Sequence, residues 1–206
     1  MAVKDLDKYE ILICVSGGIA AYKVATVVST LVQKKAAVTV AMTESSTRLI
    51  GPPTFGALSS RPVYTDLWAG VRNRKQWGLG GPAQEVSAEI EHISLSDRAD
   101  LVVVAPATAN ILAKMAAGIA DDLVSSTLLA VEGPVLLAPG MNVRMWSNPA
   151  TEQNVETLKQ RGHIVVGPES GWQACGHVGM GRMAEPQTIV GAIEEILAQR
   201  KPKTNT

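Results

Sequence analysis

Short apolar runs alternate with segments whose apolar positions recur at helical spacing, and the alternation continues from about residue 11 to about residue 197. Residues 11–15, 38–42, 101–104, 135–138 and 163–166 are near-continuous apolar stretches of strand length, the pattern of strands buried on both faces. A further short extended piece is expected around Pro62-Val63-Tyr64. Between the runs, Val24, Ala25, Val28, Leu31 and Val32 predict a first helix, and a short one ends near Ala99. Ile111, Leu112, Met115, Ile119 and Leu123 predict one Ala-rich helix, and residues 150–161 another with Val155 and Leu158 inward. Ile189, Ile193, Ile196 and Leu197 mark a last amphipathic helix.

Strand and helix repeat without any internal sequence repeat. The fold class expected is therefore α/β, a three-layer Rossmann-like (flavodoxin-like) doubly wound parallel sheet. Right-handed crossovers place the loops that follow the strands on one edge, where such sheets bind ligands. Four loops meet there: residues 16–20, 43–45, 105–110 and 139–146.

Composition narrows the partners. A chain of 206 residues suits one domain, here residues 1–206. Lys plus Arg and Asp plus Glu number 19 each, so nothing recommends nucleic acid or an anionic membrane surface as partner. A small molecule or another protein is expected. Two cysteines, Cys14 and Cys175, form neither a disulfide framework nor a paired zinc spacing, and no metal is expected. No charged-then-apolar leader opens the chain and no apolar run approaches membrane-span length, so it reads as cytoplasmic.

The loops carry the candidate chemistry. Ser16-Gly17-Gly18-Ile19-Ala20 joins the first strand to the first helix, and glycines before a helix start let an anion approach exposed backbone N–H groups. A strand-to-helix turn with glycine is also common without a ligand. Thr43 and Ser45 supply hydroxyls after the second strand, as ligand contacts or as helix caps. Pro139-Gly140-Met141-Asn142-Val143-Arg144-Met145-Trp146 combines a turn, an amide and large soft side chains, either a floor for a flat cofactor or core filling. Residues 69–88 mix glycine with Arg72, Arg74, Lys75 and Trp77 and read as a long mobile loop. Residues 171–186 hold four glycines among sixteen positions together with Trp172, Cys175, Met180 and Arg182, and read as a flap that closes over a site.

Three features coincide: the glycine turn, the Pro-x-Met-Asn-x-x-Met-Trp run, and Ala174-Cys175-Gly176 ending in Gly181-Arg182-Met183-Ala184-Glu185-Pro186. Together they resemble the flavin-containing cysteine decarboxylase family over about residues 9–198, and Ala105-Pro106-Ala107-Thr108-Ala109-Asn110 fits that family's flavin loop. The resemblance implies an FMN-dependent carboxy-lyase that converts 4'-phosphopantothenoylcysteine to 4'-phosphopantetheine in coenzyme A biosynthesis. It implies oxidation to a thioaldehyde, loss of carbon dioxide to an enethiol, and reduction of that enethiol, with the flavin as an electron sink repaid within the turnover.

The resemblance assigns roles residue by residue. His92 is the base of the oxidative step, Asn142 holds the substrate carboxylate with Met145 beside it, and Cys175 is the acid that protonates the enethiol. FMN falls to Gly18, Ile19, Ala20, Thr43, Ser45, Thr108, Ala109 and Asn110, with Ser16 and Gly17 as weaker members of the same turn. Trp172, Gln173 and Ala174 lie against substrate, and Trp146 counts as packing. Homo-trimers or homo-dodecamers with flavin sites at subunit boundaries are implied. Many bacterial relatives continue into a synthetase domain, so the chain is either free-standing or a piece of a longer enzyme. His177 stands where many relatives carry an acid, Gly140 where alanine is commoner, and residues 69–88 exceed the usual connection.

Two other readings stay open at this level. One keeps FMN but decarboxylates the C-terminal cysteine of a peptide. The other, of a different class, is a regulatory protein-binding flavoprotein. A flavin prenyltransferase would lack the Asn142 run and the Cys175 flap, and a zinc site at Cys175, His177 and His163 would lack a fourth ligand.

Overall fold

The computed structural model describes residues 5–68, 91–172, 176 and 178–203. Its main sheet has six parallel strands: β1 (Glu10–Val15), β2 (Ala37–Met42), β3 (Val63–Tyr64), β4 (Leu101–Ala107), β5 (Val135–Pro139) and β6 (Ile164–Val165). Their order is β3-β2-β1-β4-β5-β6, so the winding reverses between β1 and β4. β1 pairs in simple parallel register with both neighbours, Ile11 opposite Val38 on one side and opposite Leu101 on the other, while the β4–β5 register shifts between Val104 and Ala107.

The inner strands β1, β4 and β5 are buried and almost wholly apolar because both faces are covered. Ile11, Ile13 and Val15 point to one side, where they meet α1 (Ala21–Gln33), α3 (Pro52–Ser59) and α9 (Pro186–Ala198) through Val24, Val28, Leu31, Phe55, Ile189 and Ile193. Leu12 and Cys14 point to the other side, where α4 (Glu91–Arg98), α5 (Ala109–Ala117), α6 (Leu123–Ala130) and α8 (Pro149–Gln160) supply Leu95, Ile111, Leu112, Leu128 and Leu158. Two short helices, α2 (Glu44–Thr47) and α7 (Val143–Trp146), follow β2 and β5 at the edge where the strands end.

Three elements differ from the sequence expectation. The single helix expected through residues 111–123 is two helices. Gly118 takes a left-handed conformation (φ 71°) and closes α5. Asp122 then opens α6 with a reciprocal capping box: its carboxylate accepts the Ser125 N–H, and the Ser125 hydroxyl oxygen accepts the Asp122 N–H. Ile119, expected inside, is exposed on the connection. Helix α3 was not foreseen, although Pro52 and Pro53 at its first turn and the fully buried Phe55 are its signature. The segment expected as a flap is an antiparallel hairpin of β7 (Glu169–Trp172) and β8 (Val178–Arg182), and Met183 and Ala184 beyond it are core residues. The loop expected at 69–88 lies outside the described residues.

Candidate active site

The switch between β1 and β4 opens a crevice above the strand ends, and a cavity of about 870 Å³ occupies it. That is within the size range of cofactor sites. Its floor follows from two close approaches. Gly17 lies so near α2 that an added Cβ would sit 2.4 Å from Ser45 Cβ, and one on Gly18 would sit 3.2 Å from both Pro106 Cγ and Thr108 Cγ2. The loops after β1, β2 and β4 are therefore packed into one surface.

Ser16 stitches that surface together. Its buried hydroxyl donates to the Pro106 carbonyl (2.6 Å), accepts the Thr108 N–H (3.2 Å) and lies 3.0 Å from Thr108 Oγ1. Thr108 in turn caps α5, its hydroxyl oxygen accepting the Ile111 N–H, and Thr43 caps α2 through the Ser46 N–H. Above the floor, α1 starts without a side-chain cap and without an acidic residue in its first turn. The start of this thirteen-residue helix therefore favours an anion in the cavity.

The loop after β5 forms the opposite wall. Asn142 caps α7, its Oδ1 accepting the Arg144 N–H at 2.8 Å. Met145, half exposed, is one turn on, while Met141 and Trp146 pack on the core below. The hairpin docks on this wall: the Met141 N–H donates to the Gly181 carbonyl (2.8 Å), and Gly179 sits against Val143.

The structure thus brings Ser16, Gly17, Gly18, Ile19, Ala20 and Thr43 to the cavity wall. Ser45, Thr108, Asn110, Asn142, Met145 and Trp172 join them. Ala109 is in the first turn of α5 but is not part of the lining. Nor is His92, which stands half-buried at the start of α4, a helix packed on α6 through Leu95 and Ala99. Gln173, Ala174, Cys175 and His177 lie outside the described residues.

Several lining residues were not foreseen. Lys114 lies one helical turn beyond Asn110 and is salt-bridged to Asp121 and, at 2.7 Å, to Asp122. Burial opposes its charge, but the hydrogen bonds to both carboxylates hold the ammonium above its usual range. The hydrogen bond from Lys114 likewise holds the Asp121 carboxyl down. At the mouth, Lys23 and Arg182 line the cavity and share Glu185, whose carboxyl the Lys23 hydrogen bond keeps below the usual range. The i, i+4 spacing of Asn110 and Lys114 was a readable signal; the pairing of Lys23 with Glu185 across 162 positions was not.

Cys14 is fully buried in β1, and burial pushes its thiol up to about 12, so it is inert in the folded chain. Among the described residues no group of acids, histidines and cysteines is placed to hold a metal. No helix among them is long and apolar enough to cross a membrane.

Residues 2–198 match the family model described as Flavoprotein. The chain is 45% identical over 194 residues to the Coenzyme A biosynthesis bifunctional protein CoaBC of Bacillus subtilis, a match covering 94% of this chain and 44% of the relative. It therefore spans about half the length of the curated relatives it matches. Among solved structures it resembles a cysteine-to-serine variant of PPC decarboxylase in complex with pantothenoylaminoethenethiol, with a TM-score of 0.80 and 28% identity over 94% of this chain and all of the other. It also resembles SpaF, described as an FMN-dependent cysteine decarboxylase, with a TM-score of 0.73 and 32% identity over 94% of this chain and 98% of the other.

Proposed function

The chain belongs to the Flavoprotein family, and from that premise we propose that it is an FMN-dependent decarboxylase acting on 4'-phosphopantothenoylcysteine in coenzyme A biosynthesis. The observation that carries the reading is convergence. The glycine turn after β1, the Thr108–Asn110 loop and the Asn142 loop, distant in sequence, wall one cavity at the switch point of the sheet.

The residues present fit FMN. The floor at Gly17 and Gly18 has no room for side chains, as close approach of a phosphate to backbone requires, and the uncapped start of α1 supplies the favourable dipole. Ser45 and Thr43 stand beside that turn, and Thr108 and Asn110 continue the wall. The flavin, when bound, supplies the two-electron sink that lets a cysteine carboxylate leave without a free carbanion.

The chain's own residues would do the rest. Asn142 offers a neutral amide N–H to the substrate carboxylate, which orients it without the ground-state stabilisation that a cation would give to a group that must leave. His92 would take the proton in the oxidative step, the general-base role to which an imidazole is suited. Cys175 would return a proton to the enethiol. The similarity to a protein of coenzyme A biosynthesis and to PPC decarboxylase supports the phosphorylated small substrate over a peptide C-terminal cysteine.

His92 does not reach the cavity of its own chain, and this supports a site completed by a second copy in a homo-oligomer, a trimer or dodecamer. Ile93 and Leu129 on α4 and α6, and Ile19 and Tyr22 at the cavity rim, are exposed apolar residues that such contacts would cover. Mixed oligomers test both points. Protein reconstituted with FMN should release carbon dioxide from phosphopantothenoylcysteine, while His92→Asn and Asn142→Asp should each be inactive alone. Co-refolding the two variants should restore turnover, because some cavities then draw a native His92 and a native Asn142 from different copies. A wild-type protein that binds no FMN refutes the activity; inactive mixtures refute the shared site.

A further inference from the structure

Four charged residues form a chain at the cavity mouth. Lys23 of α1 donates to Glu185 Oε1 at 3.0 Å, and Arg182 Nη2, at the end of β8, donates to the same oxygen at 2.6 Å. Arg182 also lies 3.6 Å from Glu169 Oε2 at the start of β7, while Glu169 Oε1 accepts the Glu185 N–H at 3.3 Å. The set is neutral, two cations with two carboxylates, and it joins the helix behind the glycine turn to both strands of the hairpin.

The hairpin needs such an anchor. Among the described residues β7 and β8 pair only with each other, and Trp172 and Val178 are about two-thirds exposed (66% and 70%). An isolated two-stranded ribbon is marginal in water. Two of its attachments, Gly181 to Met141 and Gly179 to Val143, hold it to the Asn142 loop. The ionic chain reaches the opposite wall, at α1. Its middle member is Glu185, whose carboxylate caps no helix, so its side chain has no local task in α9.

We propose that Glu185 is a positioning residue: by bridging Lys23 and Arg182 it locks the β7–β8 hairpin to the cofactor wall and so fixes the hairpin over the Asn142 loop. Only its consequence for turnover rests on the functional reading; the lock is a property of the ligand-free chain. A charge-assisted bond shared by two cations is stronger than a neutral one, and a half-exposed carboxylate that makes two such bonds has a measurable local effect.

Amide hydrogen exchange on the ligand-free protein tests the lock. In Glu185→Gln the β7 and β8 amides should exchange roughly tenfold faster, while those of β1 and β4 keep their wild-type rates, because the opening is local. Lys23→Gln should reproduce the effect from the other end of the bridge, which a defect confined to the start of α9 would not. In FMN-loaded protein, Glu185→Gln should lower kcat roughly tenfold while the FMN affinity changes less than about threefold. Unchanged exchange in β7 and β8, or equal acceleration in β1 and β4, overturns the proposal. If the wild type binds no FMN, the functional reading falls, and the ligand-free comparison still decides the lock.

Discussion

Replacing Gly17 by alanine should damage the site more than any other single methyl addition to its floor. Gly17 has an ordinary backbone conformation, so alanine there meets no torsional penalty and the effect is purely one of space. Its Cβ would lie 2.4 Å from Ser45 Cβ and 3.2 Å from the Ser45 carbonyl carbon, against about 3.5–4.0 Å for carbon atoms in contact. The turn and α2 must therefore separate by about 1 Å. Overpacking of that kind costs about 1–3 kcal/mol. The groups that move apart are the glycine turn and Ser45, both proposed to hold the FMN phosphate, so FMN affinity should fall roughly ten- to hundredfold, each tenfold being about 1.4 kcal/mol. Flavin fluorescence titration measures the affinity, and urea unfolding of the apoprotein measures the strain. Gly18→Ala meets only side-chain carbons at 3.2 Å, which can give, and should be milder; Gly133→Ala adds a methyl in open space and should be neutral. Wild-type FMN affinity and an unchanged urea midpoint in Gly17→Ala would refute the packed-floor account.

Two further outcomes follow from the same geometry. Asp122→Ala should lose about 1–2 kcal/mol in urea unfolding, since it removes the α6 cap and one of the two partners of Lys114, whereas Asp122→Asn keeps a capping oxygen and should lose less; equal losses would show that the cap contributes nothing. Burial, with the nearby Arg161 charge, lowers His163 from its usual 6.5, so the unfolded chain takes up this proton first. His163 should then leave stability flat above about pH 6.5 and reduce it as pH falls toward the lowered folded value, and His163→Gln should remove that part of the slope in urea midpoints measured across the interval. A slope identical in the variant would place the titration elsewhere.

The fold was legible because its physics is local. A strand covered on both sides must be apolar at every position, and residues 11–15 satisfy that with Ile11, Ile13 and Val15 facing one layer and Leu12 and Cys14 the other. The loops that end such strands fall on one edge by topology alone, so the floor of the site could be assembled before any contact was known. The break at Gly118 was hidden by coincidence: Ile119 and Leu123 continue the helical spacing of Ile111 and Met115, although Gly118 and the Asp122–Ser125 pair both signal a boundary. Missing that break also concealed the cluster of Lys114 with Asp121 and Asp122, which exists only because the chain turns back there.

The hairpin shows why the remainder was not legible. Glycine at 171, 176, 179 and 181 read as flexibility, yet at two of these positions it is a packing residue. A Cβ on Gly171 would meet the Arg182 guanidinium at 3.3 Å, and one on Gly179 would meet Val143 Cγ2 at 3.0 Å. Sequence records that a side chain is missing and not what occupies its place. Here the occupants are the ionic chain on one strand and the wall of the Asn142 loop on the other, so the glycines let the base of the hairpin press against the site. A segment rich in glycine is then stiffest where its glycines touch something. For this hairpin that is its root, where Gly181 meets Met141 and Arg182 meets Glu185.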